Sequence, residues 1–112
     1  MLSECKKALR ITVDDFDSEL ALLMMAGADD LRIAGVILPG EVDFGIDAGT
    51  GEVTDNCSLD DALAMRAIFT YCAAHFGNPP NADRLKAAYD EQKVQLMHAS
   101  AYTDYNGGGE CR

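Results

Sequence analysis

The chain has 112 residues, of which 48% are apolar and 25% charged, the proportions of one folded globular domain. Nineteen Asp and Glu residues against nine Lys and Arg residues give a formal charge of −10, which argues against a surface that grips the phosphates of nucleic acid. No apolar run is long enough to span a membrane, and the first residues lack the apolar stretch of a signal peptide. We therefore expect a soluble protein that is made in a cytosol and has no membrane partner.

Two helices are predicted in the first third of the chain. A short helix covers residues 2–9. A second helix begins at Asp14 or Asp15, because carboxylates at a helix start accept free backbone N–H groups and meet the positive end of the helix dipole. Pro39 and Gly40 are expected to end this second helix.

The second predicted helix carries more apolar surface than a single stripe. Its apolar residues recur at spacings of three and four, and Leu22, Met24, Met25 and Ile33 widen the apolar surface beyond that stripe. A domain of this size has few other helices to cover such a surface, so Met24 and Met25 are candidates for a contact between subunits. The alternative, that these residues complete the protein's own core, stays open.

A glycine-rich segment, residues 38–57, follows the second helix. It has no helical period, but apolar residues alternate with polar residues and glycine from residue 42 to 47, which predicts a long loop with a possible short hairpin. A structured insertion of this length in so small a domain is usually functional or interfacial. The segment contains three acidic residues that a role in helix capping does not explain, namely Asp43, Asp47 and Glu52.

The third predicted helix is the central one. Ser58 and the acid three residues later have the pattern of a helix start, and the segment runs to Phe76. It is apolar nearly all round, so Leu63 and Ile68 are expected in the core. Gly77 suits the left-handed conformation that commonly follows a helix end.

A last, amphipathic helix is predicted to begin at Asn81 or Ala82. After it the sequence becomes polar and glycine-rich, and such a segment cannot bury enough surface to order itself. The predicted fold class is therefore all-α, with three main helices and a short N-terminal one. We expect a single helical domain over residues 1–100 and a flexible C-terminal tail over residues 101–112.

Residues with catalytic side chains are present, but their spacing does not indicate a site. Most paired carboxylates stand at predicted helix starts, and His75 and His98 have no Cys or His at the spacing of a metal ligand. The four cysteines have no C-x-x-C spacing, so free thiols are expected. The loop acids do not fit an EF-hand, and the loop lacks the lysine of a phosphate-binding loop. No catalytic, cofactor-binding or metal-ligating residue is predicted.

The order of these segments resembles that of the small helical head–tail connector proteins, also called head-completion or adaptor proteins, of long-tailed double-stranded DNA phages and prophages. The resemblance covers roughly residues 2–105, except that residues 38–57 are longer and richer in glycine than is usual for the family. The segments that carry it are KKALRI (6–11), DDFDSEL (14–20), LDDAL (59–63), HFG (75–77) and NADRL (81–85).

The resemblance implies a non-enzymatic structural protein of the virion neck, assembled in the bacterial host cytoplasm. Its subunits would join into a ring beneath the portal protein that extends the DNA channel, lets DNA pass without binding it, and supports the next connector or tail-completion protein. The candidates for contact with the channel or the neighbouring ring are Asp43, Asp47 and Glu52. The candidates for contacts between subunits are Met24, Met25, Tyr102 and Tyr105.

Two other classes of protein stay open. A small acidic binding module, such as a DNA mimic or an inhibitor, would present its acids on one continuous face. A small hydrolase or metal-dependent enzyme would have a pocket that holds two acids, or a histidine, with strongly shifted pKa values.

Overall fold

The described part of the chain folds into helices and a two-stranded sheet. The computed structural model describes residues 1–77 and 79–99. In chain order the elements are α1 (Leu2–Leu9), α2 (Asp17–Ile33), β1 (Phe44–Ile46), β2 (Val53–Asp55), α3 (Ala62–His75) and α4 (Ala82–His98). The protein is mostly helical, which broadly fits the predicted all-α class, and the small sheet lies between α2 and α3 in the chain. The predicted bounds of α1 and the predicted start of α4 are confirmed.

Helix α3 lies at the centre of the molecule and contacts α1, α2 and α4. It is rich in alanine on the side that faces α2, which lets the two helices approach closely. Gly27 of α2 faces the ring of Tyr71, and a Cβ atom at Gly27 would lie only 3.1 Å from Tyr71 Cδ1. The largest fully buried side chains of the core are Leu20, Met24, Leu31, Ile68, Cys5 and Cys72.

The two-stranded sheet is an antiparallel hairpin anchored in this core. Its facing pairs are Phe44 with Asp55, Gly45 with Thr54, and Ile46 with Val53. Val42 and Phe44 are buried and pack against the helices. At the base of the hairpin the chain passes so close to the segment before α3 that a Cβ atom at Gly40 would lie 2.6 Å from Leu59 Cα, so only glycine fits there.

The prediction that Asp14 or Asp15 begins α2 is wrong. The helix begins at Asp17 after Phe16, and no side chain caps its first turn. Asp14 instead forms an ion pair with Lys6, whose Nζ donates a hydrogen bond to Asp14 Oδ1 at 2.6 Å, and Asp17 Oδ1 lies 2.9 Å from the same nitrogen. The carboxylate of Asp14, which the sequence pattern predicted to cap α2, is therefore used in an ion pair with α1.

The end of α2 is also earlier than predicted. The helix ends at Ile33, well before Pro39. Gly35 has a φ of 100°, and the N–H of Val36 donates a hydrogen bond to the Leu31 carbonyl at 3.0 Å. This left-handed glycine closes the helix and turns the buried Val36 back into the core.

The start of α3 also differs from the prediction, which placed the cap at Ser58. Asp61, rather than Ser58, is the capping residue, and its Oδ2 accepts a hydrogen bond from the Ala64 N–H at 3.0 Å. The Ser58 hydroxyl oxygen accepts the Glu41 N–H at 2.9 Å and so fastens the base of the hairpin. Leu63, expected in the core, is 55% exposed, whereas Ile68 is fully buried as predicted.

Leu63 and Ile68 form a matched pair on one helix. We expect Ile68→Asp to lower the free energy of unfolding by at least about 4 kcal/mol, because it buries an unpaired carboxylate. Leu63→Asp should change it by less than about 1 kcal/mol, because the side chain points into water in the first turn of α3. Urea unfolding followed by circular dichroism measures both values. Equal losses for the two variants would contradict this placement of α3.

Candidate assembly surfaces

The hairpin presents the three loop acids singled out in the sequence. Asp43, Asp47 and Glu52 are all exposed. Asp47 has a local role, because its Oδ1 accepts the N–H groups of Gly49 at 2.7 Å and Thr50 at 3.2 Å and so holds the turn. The carboxylates of Asp43 and Glu52 form no hydrogen bond or ion pair within residues 1–77 and 79–99. These two carboxylates are therefore available for electrostatic interactions with a molecule that lies against the hairpin.

Asp55 joins the hairpin to α1, which the sequence did not indicate. Its Oδ2 accepts hydrogen bonds from the Met1 ammonium group at 2.6 Å and the Leu2 N–H at 3.0 Å, and its Oδ1 accepts the Cys57 N–H at 3.0 Å. Partial burial by itself raises the pKa of Asp55, but these hydrogen bonds outweigh it and hold the pKa well below its usual range. The hairpin is thus fixed relative to α1.

An apolar groove of about 610 Å³ runs along the outer side of α3. Helix α3 forms its floor, and α1 and the start of α4 form its walls. Its lining is mostly apolar, and its charged members are Glu4, Asp60 and Arg66. The apolar side chains that define it include Leu9, Met65, Phe69, Ala73 and Leu85.

A second apolar surface lies on the outer side of α2. We call it the α2 stripe and define it by Leu22, Ala26, Asp29 and Ile33, which follow one another at spacings of four, three and four. Leu22 is 57% exposed and Ile33 is 86% exposed. Large apolar side chains that stay this exposed on one helix face are typical of a contact surface.

The two methionines chosen from the sequence lie elsewhere on the same helix. Met24 is fully buried and completes the core, so it offers no surface to a partner. Met25 is partly buried and packs against the core. The sequence did identify α2 as a helix with excess apolar surface, but the exposed members are Leu22 and Ile33. The candidates Tyr102 and Tyr105 lie outside the described residues.

A polar cluster ties α2 to α4. The Tyr89 hydroxyl donates a hydrogen bond to Asp30 Oδ2 at 2.5 Å, and Lys93 Nζ lies 3.2 Å from the same oxygen. The Tyr71 ring packs edge-on against Tyr89 and tilted against His75. The hydrogen bond from Tyr89 and the charge of Lys93 hold the pKa of Asp30 below its usual value, and burial raises the pKa of Tyr89.

The remaining residue types that could carry chemistry show no further site in the part of the chain that the structure describes. Cys5, Cys57 and Cys72 are free thiols. A hydrogen bond with the Cys5 sulfur, together with burial, raises the pKa of the Cys72 thiol. Within residues 1–77 and 79–99, no three His, Cys, Asp or Glu side chains are placed to hold a metal ion. None of the described helices combines the length and apolarity that a bilayer span requires.

A small helical protein with an apolar groove and an exposed apolar helix face has the features of a structural subunit that contacts other proteins. A model of the family described as phage connector protein matches residues 1–103, and the chain belongs to this family. It is a head–tail connector, a structural protein of the phage virion, and membership implies association with other virion proteins such as the portal. The resemblance seen in the sequence is confirmed. A comparison with curated proteins finds no match, nor does one with solved structures.

Because of the polar cluster around Asp30, we expect the stability of the fold to decrease as the pH falls. The pKa of Asp30 is lower in the folded than in the unfolded chain. The ionised carboxylate therefore contributes fully to the free energy of unfolding above about pH 4, and this contribution is lost as the pH falls through the pKa of Asp30 in the folded chain. We expect Tyr89→Phe to cost about 1 kcal/mol at pH 7, a modest amount because Asp30 is 39% exposed.

The same substitution should cost less at pH 2.5 than at pH 7. Thermal unfolding of the wild type and of Tyr89→Phe at both pH values measures the difference, and Tyr71→Phe is a control that keeps a ring in the cluster without touching the Asp30 hydrogen bond. A cost for Tyr89→Phe that does not change with pH would contradict a role for ionised Asp30.

Proposed function

We propose that this connector is a subunit of a ring that docks beneath the portal, extends the DNA channel and supports attachment of the tail. The observation that carries the proposal is the family match over residues 1–103, which includes both the groove and the α2 stripe. Its partners would be further copies of itself, the portal protein, and the next connector or tail-completion protein. Assembly would take place in the bacterial host cytoplasm, and the finished ring would lie in the virion neck.

The acidic hairpin is the proposed contact with the channel or with the neighbouring ring. Asp43 and Glu52 are exposed, and neither carboxylate is neutralised by a cation of the described chain. Carboxylates that face DNA repel its phosphates, so a channel lined with them allows the duplex to pass without adhering. The charge of −10 is compatible with this role.

The alternative of a small acidic binding module is less well supported by the geometry. Such a module needs acids that are free on one face. Several acids of this chain are instead engaged in its own ion pairs. They are Asp14 and Asp17 with Lys6, Asp29 and Glu41 with Arg32, and Asp30 with Lys93.

Electron microscopy of the protein incubated with its portal tests the ring directly. We expect the full chain to form a ring on the portal. A chain that ends at Ala101 should unfold at the same temperature, because the buried core of the described residues is complete by Leu96, but it should occupy the portal more weakly. Tail attachment to filled heads is the second measurement.

The two results have separate meanings. If the full chain gives no ring and no docking, the proposed function is wrong. If the chain that ends at Ala101 occupies the portal and supports tail attachment as well as the full chain does, Tyr102 and Tyr105 have no role in assembly.

Charge reversal tests the position of the hairpin. In portal–connector complexes, Asp43→Lys/Glu52→Lys should create salt-dependent binding of short duplex DNA, because two lysines would then face its phosphates. Asp15→Lys/Glu91→Lys makes the same change in net charge at exposed sites away from the hairpin, and we expect no DNA binding from it. Fluorescence anisotropy at increasing salt measures both. Equal binding by the two variants would contradict a hairpin that faces the channel.

A further inference from the structure

We propose that the groove on α3 of one subunit receives the α2 stripe of the next subunit. The occupant of the groove is therefore a second copy of this chain, and neighbours associate head to tail. The inference rests on the proposed ring and names the contact that builds it.

The two surfaces lie on opposite sides of the molecule. At 100° per residue, Phe69 and Ala73 of the groove lie about 160° around α3 from Tyr71, the residue that packs on α2. On α2, Leu22 and Ile33 lie about 160–180° around the helix from the fully buried Leu31. A subunit therefore cannot place its own stripe in its own groove. Contact between two different faces is heterologous, and such contacts close into rings when the rotation between neighbours allows it.

The stripe and the groove agree in length and shape. Leu22 and Ile33 are separated by as many residues as Ala62 and Ala73 on the groove floor, about 16 Å along each helix. Two helical walls above a helical floor form the kind of groove that accepts the apolar face of another helix. The small side chains of Ala26 on the stripe and of Ala62 and Ala73 on the floor permit a close approach of the two helices.

The charges select one orientation. Arg66 lines the groove and makes no ion pair with any described residue. When the two equal segments are superposed antiparallel, Asp29 of the stripe lies opposite Arg66, so opposite charges meet. Asp29 also pairs with Arg32 at 3.2 Å, but its side chain is 69% exposed and keeps a free side for a second cation. In the parallel orientation Glu19 would lie beside Asp60, which also lines the groove, and like charges would repel. The antiparallel arrangement is therefore the one that we propose.

Two variants can each remove one half of the contact without touching the core. The stripe variant, Leu22→Asp/Ile33→Asp, keeps an intact groove, and the groove variant, Ala62→Glu/Arg66→Glu, keeps an intact stripe. All four positions are exposed, so both variants should unfold at the wild-type temperature. Either variant should lower occupancy of the portal ring at least about tenfold. Val94→Asp, on an exposed apolar residue outside both surfaces, is the matched control and should assemble normally.

Mixing the two variants tests the pairing itself. We expect the isotope-labelled stripe variant and the unlabelled groove variant to form a one-to-one complex by NMR at about 1 mM, with shifts confined to groove residues such as Leu9, Phe69 and Leu85. Labelling the groove variant instead should place the shifts on α2. Neither variant should associate with itself.

The outcomes separate this inference from the proposed function. If the mixture shows no shifts, or shifts away from the groove, the pairing is wrong even where the wild type forms a ring on the portal. If the mixture forms the complex but no ring docks on the portal, the pairing stands and the proposed function is wrong. Groove shifts caused by the portal protein, or by a peptide of residues 101–112, with none from the partner variant would assign the groove to that occupant and overturn the inference.

Discussion

The structure depends on the burial of one helix that is apolar nearly all round. The described part of the chain, residues 1–77 and 79–99, does not cover α3 completely. Helices α2 and α4 both pack along it and α1 contacts it over a shorter length, and together they leave its outer side open. The groove is thus the part of α3 that this domain does not bury, and the exposed stripe on α2 has the same origin, because α2 is also apolar on more than one side. Removal of both surfaces from water by other virion proteins would complete the burial that folding leaves unfinished.

Local sequence patterns predicted the helices well wherever the deciding interactions were local. The range of α1 and the start of α4 follow from the local pattern, and Gly77 has the left-handed φ expected after a helix end. Both wrongly predicted helix starts occur where a distant residue competes for a capping side chain. Ser58 has the sequence pattern of a cap, but its hydroxyl is engaged by Glu41 at the base of the hairpin. Asp14 is likewise engaged by Lys6. Neither competition is visible in a window of a few residues.

The candidate surfaces could be predicted from the sequence only in part. The excess apolar surface of α2 and the acids of the loop could be read from the sequence, and the order of the segments indicated the family. Which apolar residues point outward could not be predicted, because the buried Met24 and the exposed Leu22 are only two residues apart and lie on nearly opposite sides of the helix. The contact between Asp30 and Tyr89 joins residues 59 positions apart and depends on how α2, α3 and α4 pack, so no local sequence pattern predicts it.

The two walls of the groove are held in place by different forces. The α4 wall packs along α3 and is tied to α2 by the partly buried hydrogen bond between Tyr89 and Asp30. The α1 wall has fewer contacts with the rest of the molecule. Besides the buried Cys5, it relies on charged contacts, among them the ion pairs of Lys6 with the exposed Asp14 and the less exposed Asp17. Salt screens an exposed ion pair but hardly affects apolar packing. The width of the groove is therefore set on one side by a fixed wall and on the other by a wall whose attachment weakens as ionic strength rises.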